Sequence, residues 1–218
     1  EAAKLGVELF VMDDGWFGKR DSDYSGLGDW YPNEEKLGCT LGELGARIEA
    51  LGMKFGIWFE PECISEDSSL YRAHPEWAVQ IPGRKPNLSR NQLILDFSRT
   101  DVQDYMIQRL SAVLDSAPIS YVKWDFNRSI CDKFSEALPA GRQGEMAHRF
   151  MLGLYRVLET LLERYPHLLL EGCSGGGGRF DTGMLYYSPQ IWCSDDTDAI
   201  ERLSIQYGTS FAYPVSTM

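Results

Sequence analysis

Tyr121-Val122-Lys123-Trp124-Asp125-Phe126-Asn127-Arg128 is an apolar run that passes directly into charged sequence. Its first four residues read as a parallel strand, whose burial on both faces favours a nearly continuous apolar segment. Six more runs read the same way. They are Leu9-Phe10-Val11-Met12, Phe55-Gly56-Ile57-Trp58-Phe59, Leu93-Ile94-Leu95, Leu168-Leu169-Leu170, Ile191-Trp192-Cys193 and, more weakly, Ser210-Phe211-Ala212-Tyr213. Helical periodicity fills the intervals. Thr40-x-x-Glu43 is a capping box that opens a helix to about Gly52. Thr100-x-x-Gln103 reads as the start of a second, with Val102, Tyr105, Met106, Leu110, Val113 and Leu114 on one face. A longer helix spans Gly144 to Tyr165 and stops before Pro166, and Asp198-x-x-Glu201 can start a fourth.

Strand, loop, helix and strand in repetition argue for a parallel α/β fold. Seven strands alone do not separate a closed barrel from an open doubly wound sheet. The polar residues favour the barrel. Nearly every run ends in acidic or glycine-rich sequence: Asp13-Asp14-Gly15, Glu60-Pro61-Glu62, Asp96, Asp125-Phe126-Asn127-Arg128, Glu171-Gly172-Cys173 and Asp195-Asp196. A barrel brings all such ends to one mouth, whereas an open sheet spreads them along an edge. The expected fold is a (β/α)8 TIM barrel lacking its first strand, as one partial domain over residues 1–218.

Composition narrows the partners. The net charge of −11, from 32 acidic and 21 basic residues, has the wrong sign for tracking phosphates, so no nucleic acid is expected. No apolar run approaches the roughly 20 residues that cross a bilayer, so no membrane partner is expected either. The five cysteines are widely spaced and only three histidines accompany them, which argues against a zinc site and for free thiols in a reducing cytoplasm. No cofactor or metal is required.

Strand alternation sends Lys123, Asp125 and Asn127 to one face and Val122, Trp124 and Phe126 to the other. That places a carboxylate between an ammonium and an amide, the surroundings of an ionised nucleophile. A buried, satisfied ion pair is the structural alternative. In Trp192-Cys193-Ser194-Asp195-Asp196, adjacent acids can raise one another's pKa and so supply a proton donor, while Asp196 or Asp198 could instead cap a helix. Two such carboxylates could flank a glycosidic bond, with a separation of about 5–5.5 Å for retention and about 6.5–9.5 Å for inversion. Trp16, Trp58 and Trp192 lie beside the same mouth and offer aromatic faces to a sugar, though any single Trp is more often core. Asp13-Asp14 offers acceptors for ligand hydroxyls, or an Asx turn closed by Gly15, or a divalent-metal site together with Glu60 or Asp96. Cys173-Ser174-Gly175-Gly176-Gly177-Gly178 lacks the Lys of a phosphate loop; bare backbone at a barrel rim lets a ligand approach closely.

At these residues the sequence resembles family 36 of the glycoside hydrolases, chiefly its bacterial α-galactosidases. The motifs are Met12-Asp13-Asp14-Gly15-Trp16-Phe17, Gly56 to Glu62, Tyr121 to Arg128, Glu171 to Asp181 and Trp192 to Asp198. The resemblance implies a barrel, and a double-displacement reaction with retention on terminal α-galactose of melibiose- and raffinose-type oligosaccharides. It assigns Asp125 as nucleophile and Asp195 as acid/base. Asp13 and Asp14 then bind galactose hydroxyls, and Trp58, Arg90, Lys123, Asn127, Cys173, Gly176, Trp192 and Asp196 contact the sugar. Arg90 is placed by its Leu88-Ser89-Arg90-Asn91-Gln92 context. Cys173 and Asn127 against the 2-hydroxyl would exclude an N-acetyl group. The resemblance also implies that the complete protein is a homotetramer with an N-terminal β-sandwich and a C-terminal β-domain, and neither domain is visible in these residues. Two other functions remain open on the residues alone: a metal-dependent barrel isomerase or lyase, and a catalytically inactive galactose-binding module.

Overall fold

A computed structural model describes all 218 residues. The strands are β1 (Leu9–Met12), β2 (Lys54–Phe59), β3 (Cys63–Ile64), β4 (Leu93–Ile94), β5 (Ile119–Trp124), β6 (Leu169–Gly172) and β7 (Gln190–Ile191). The α-helices are α1 (Glu34–Leu37), α2 (Leu41–Glu49), α3 (Ser69–Ala73), α4 (Thr100–Leu114), α5 (Met146–Arg164), α6 (Thr182–Tyr187) and α7 (Ala199–Thr209). Five strands form one wholly parallel sheet in the order β1-β2-β5-β6-β7. The sheet is not closed: β1 and β7 are edges. Its order follows the chain without reversal, so it has no topological switch point of the doubly wound kind.

Two expected strands of the main sheet are corrected. Leu93-Ile94-Leu95 is apolar because it is buried in a small accessory layer, where β4 pairs antiparallel with β3. Ser210 to Tyr213 is no strand. The backbone N–H groups of Ala212 and Tyr213 both bond the Thr209 carbonyl at 3.1 Å, and Tyr213 stacks on Phe180 at 4.0 Å.

Helix starts follow local chemistry. The Thr40–Glu43 capping box forms in both directions, and the Asp198 carboxylate caps α7 by accepting from Ile200 and Glu201 N–H. The Thr100 box does not form. The cap position is Arg99, which spends its guanidinium on Asp101 at 2.8 Å.

The core lies between the outer face of the sheet and helices α4 and α5. Phe59, Val122, Trp124 and Leu170 meet Leu110, Leu114, Leu161 and Leu168 there. Burying each such side chain contributes about 1.5–3 kcal/mol. A second aromatic block, Trp16, Phe17, Trp30, Trp58 and Phe59, packs beyond β2 with ring centroids 4.3–6.2 Å apart. No helix is long and apolar enough to cross a membrane.

Helix α5 approaches the chain before α4 so closely that a Cβ on Gly153 would lie 1.9 Å from the Phe97 carbonyl oxygen and 2.5 Å from Gln103 Nε2. Gly153→Ala in the full chain should therefore lower stability by about 1–3 kcal/mol, the usual cost of overpacking. Gly141→Ala, which meets nothing within 4 Å, is the control. Urea midpoints read both, and equal midpoints would contradict the packing.

Candidate active site

The backbone ladder runs one residue past three strands and so fixes where the polar residues begin. Asp125 N–H donates to the Phe59 carbonyl at 2.7 Å, Cys173 N–H to Trp124 at 2.8 Å and Trp192 N–H to Gly172 at 2.9 Å. Each following side chain starts from a rigid point at the C-terminal end of the sheet.

Asp125 is buried and clamped. Its Oδ2 accepts from Trp58 Nε1 at 3.1 Å and from Asn127 Nδ2 at 2.6 Å, and its Oδ1 from Phe126 N–H at 2.8 Å. The Asn127 amide reaches further. Its Nδ2 also donates to Glu60 Oε2 at 3.0 Å, its backbone N–H donates to Glu60 Oε1 at 2.5 Å, and its Oδ1 accepts from Gly175 N–H at 3.1 Å. Glu60 is 1% exposed and takes a further bond from Gln92 Nε2. Burial, with Asp125 as a neighbouring charge, pushes the Glu60 carboxyl up, against the pull of these donors.

Lys123 shares the face of Asp125 and Asn127, yet its hydrogen-bonded partner is a different carboxylate. Its ammonium binds Asp13 Oδ2 at 3.0 Å and lies 5.7 Å from the centre of the Trp192 ring. The expected ammonium–Asp125 pair is corrected accordingly: β1 brings Asp13 to the end of the Lys123 side chain. Burial alone would push the Lys123 ammonium down, but the Asp13 bond and charge carry it above its ordinary value. Asp14 is held by Arg20, with Nε at 3.0 and 3.2 Å and Nη2 at 2.8 Å. Deeper in the same layer, Tyr121 hydroxyl donates to Glu171 Oε2, and burial raises the Glu171 carboxyl despite that bond.

The glycine-rich loop joins the two catalytic candidates. Gly175 N–H is bonded to Asn127, and a Cβ on Gly176, which has φ +86°, would come within 2.9 Å of Asp195 N and Ser194 Cα. Only glycine lets the two loops meet this closely. Asp195 is exposed, and its Oδ1 accepts from Trp192 Nε1 at 3.0 Å. Asp196 Oδ1 accepts from Asp198 N–H at 3.0 Å and so serves the turn into α7. Cys173 is buried beside Asp125, and burial followed by the Asp125 charge pushes its thiol up to about 12.

Arg90 and Asn91 have φ of 50° and 60°, and Ser89 and Gln92 bridge across them as a two-residue hairpin turn. Arg90 sits at that tip, exposed, and lines a cleft of about 450 Å³ with Asn127, Gly175 and Arg179. Of the three tryptophans expected at the mouth, only Trp192 offers ring surface. Trp16 is 2% exposed and bonds the Trp58 carbonyl, and Trp58 is spent on Asp125. The carboxylates considered for a metal do not converge. Asp13 holds Lys123, Asp14 holds Arg20, Glu60 holds Asn127 and Gln92, and Asp96 accepts from the Ser98 and Ser135 hydroxyls.

Sequence reasoning gave no role to the residues that support this site. Glu62 is buried under it, accepting a two-pronged bond from Arg179 at 2.7 and 2.9 Å and another from Trp124 Nε1 at 2.8 Å. Arg20 and Arg202 escaped as well. Arg202 carried a signal, because a cation in the first turn of a helix opposes the helix dipole unless it has another task.

The Cys173 surroundings make a direct test. At pH 8 its thiol stays neutral and enclosed, so iodoacetamide should label exposed Cys131 and spare Cys173 in the native protein. Mass spectrometry finding both alkylated at similar rates would contradict this environment.

Comparison with known proteins places the chain in a family. The Melibiase family pattern matches residues 1–218. The chain is 62% identical over 218 residues to the bifunctional α-galactosidase/sucrose kinase AgaSK of Mediterraneibacter gnavus, covering 100% of this chain and 22% of that protein. It is 58% identical over 217 residues to the α-galactosidase AgaA of Geobacillus stearothermophilus, covering 100% of this chain and 30% of that one. The crystal structure of that AgaA superposes with a TM-score of 0.98 over 100% of this chain and 30% of its own. Variants of AgaA solved with raffinose and with stachyose superpose at 0.98 and 0.96, each 57% identical, covering 100% and 99% of this chain and 30% of theirs. The chain thus spans less than a third of the length of these relatives. It belongs to the Melibiase family of glycoside hydrolases.

Proposed function

We propose that the protein is a retaining α-galactosidase that removes terminal α-galactose from raffinose-type oligosaccharides. The observation that carries this reading is an asymmetric pair of aspartates at one mouth. Asp125 is buried and takes N–H bonds at both oxygens, whereas Asp195 is exposed and held by the Trp192 indole alone. A nucleophile must be aimed, and a proton donor must reach a leaving group in a wet aglycone channel.

In the first displacement an Asp125 oxygen bonds to the anomeric carbon. The glycosidic C–O bond breaks, and the departing oxygen takes the Asp195 proton. In the second, water gives a proton to the Asp195 carboxylate and attacks the same carbon, releasing Asp125 and galactose of unchanged configuration. Asp13 and Trp192, which Lys123 links, and Asp14 would hold the ring and its hydroxyls, and Arg90 would meet it from the cleft side. Cys173 and Asn127 lie against Asp125, where they would face the 2-hydroxyl and exclude a bulkier N-acetyl group. The bound raffinose and stachyose in the AgaA structures support α-galactoside oligosaccharides as substrates.

The open sheet is, on this reading, an arc of a (β/α)8 barrel. Strand order without reversal supports it, as do apolar side chains left bare at both ends, Phe10 on β1 and Ile200, Leu203 and Tyr207 on α7. The family resemblance supports a homotetramer for the complete protein, and the five unpaired thiols support a cytoplasmic location.

Asp125→Asn in the full chain should lower kcat on a nitrophenyl α-galactoside by roughly a thousandfold or more while leaving the fold intact. NMR of the native reaction should detect α-galactose before mutarotation. Undiminished turnover by the variant, or β-galactose as first product, would overturn the assignment.

A further inference from the structure

Arg202 is the fourth residue of α7 after its Asp198 cap. Side chains on a helix lean toward its N-terminus, so this guanidinium reaches back over the turn that carries Asp195. Its Nε donates to the Asp196 carbonyl at 2.7 Å, its Nη2 to the Ser194 carbonyl at 3.0 Å, and its Nη1 to Cys193 Sγ at 2.9 Å. The same group lies 4.5 Å from the centre of the Trp192 ring, and the Trp192 N–H is the one that holds Asp195. The two carbonyls it binds belong to the residues on either side of Asp195. No carboxylate pairs with it.

A cation in the first turn faces the positive end of the helix dipole, an unfavourable placement. The acids Asp198 and Glu201 offset part of this. The bonds it makes instead are directional, and a planar fork of donors makes them in a way that a lysine ammonium cannot. Asp195 itself is exposed, so burial does not fix its position. Its carboxyl is located by the Trp192 indole, and its backbone by what holds the flanking peptides.

We propose that Arg202 is a positioning residue for the proton donor: it clamps the carbonyls of Ser194 and Asp196, on either side of Asp195, and the face of Trp192, and so aims the Asp195 carboxyl at the leaving oxygen. This rests on the reading of Asp195 as acid/base, and the test separates the two.

Arg202→Lys and Asp195→Ala are compared with the native full chain on two substrates. Raffinose has a poor leaving group that needs the proton, and a dinitrophenyl α-galactoside has one that leaves without it. For Arg202→Lys we expect kcat on raffinose to fall about tenfold to a hundredfold, as for a misaimed catalytic group. On the dinitrophenyl substrate, glycosylation should fall less than about threefold. Equal losses on both substrates, or none on either, would overturn the proposal. If Asp195→Ala itself shows no dependence on the leaving group, the acid/base reading has failed. If Asp195→Ala shows it and Arg202→Lys does not, only the role of Arg202 has failed. Arg202→Ala with added guanidinium gives a second route, with recovery of raffinose turnover expected. Loss of folding in both variants would make Arg202 structural and overturn the proposal.

Discussion

The Asn127 carboxamide has four hydrogen-bonding positions, and three neighbours use three of them. Its N–H bonds go to Asp125 and Glu60, and its oxygen takes the Gly175 N–H. These partners come from the ends of β5, β2 and β6, so one side chain sets the spacing of three strand ends where no ladder bonds remain. The order of charge matters. Two buried carboxylates face each other across this amide, and the arrangement holds because the amide presents N–H to both. Remove the amide and Asp125 and Glu60 repel with nothing between them. The glycine loop also loses its tether, and that loop packs directly on the segment bearing Asp195.

Beyond this centre, the acidic character of the chain is handled one group at a time. Asp13 has Lys123, Asp14 has Arg20, and Glu62 has Arg179. The buried Glu62–Arg179 pair adds the Trp124 indole as a third member, which offsets part of the desolvation cost of an interior ion pair, although Arg179 Nε is left without a partner. The pairs leave Asp125 surrounded by neutral donors, and leave Asp195 in solvent. Chemistry that moves negative charge onto and off a carboxylate needs that separation, because a salt-bridged nucleophile would have to break its pair at every turnover.

Much of this was legible in the sequence where local rules operate. The five runs that form the parallel sheet, the Thr40 box and the Asp198 cap follow from periodicity and capping alone. The face shared by Lys123, Asp125 and Asn127 follows from strand alternation. What was not legible is which groups on that face meet. Alternation puts Lys123 beside Asp125, but the partner chosen by a long side chain depends on the neighbouring strand, and β1 supplies Asp13. Leu93-Ile94-Leu95 misled because burial makes a run apolar whichever layer buries it. The Thr100 box failed because Arg99 and Asp101 pair with each other. Glu62 and Arg179 stand 117 residues apart, and no spacing rule connects them. Arg90 in a left-handed turn breaks a preference that a sequence can only state.

The central claim is that Asp125 forms the covalent bond, and trapping tests it most directly. A 2-fluoro galactosyl donor with a good leaving group should inactivate the full chain, and peptide mass spectrometry should find one sugar on Asp125. Label on any other carboxylate, or turnover that accumulates no covalent species and yields β-galactose, would contradict the account.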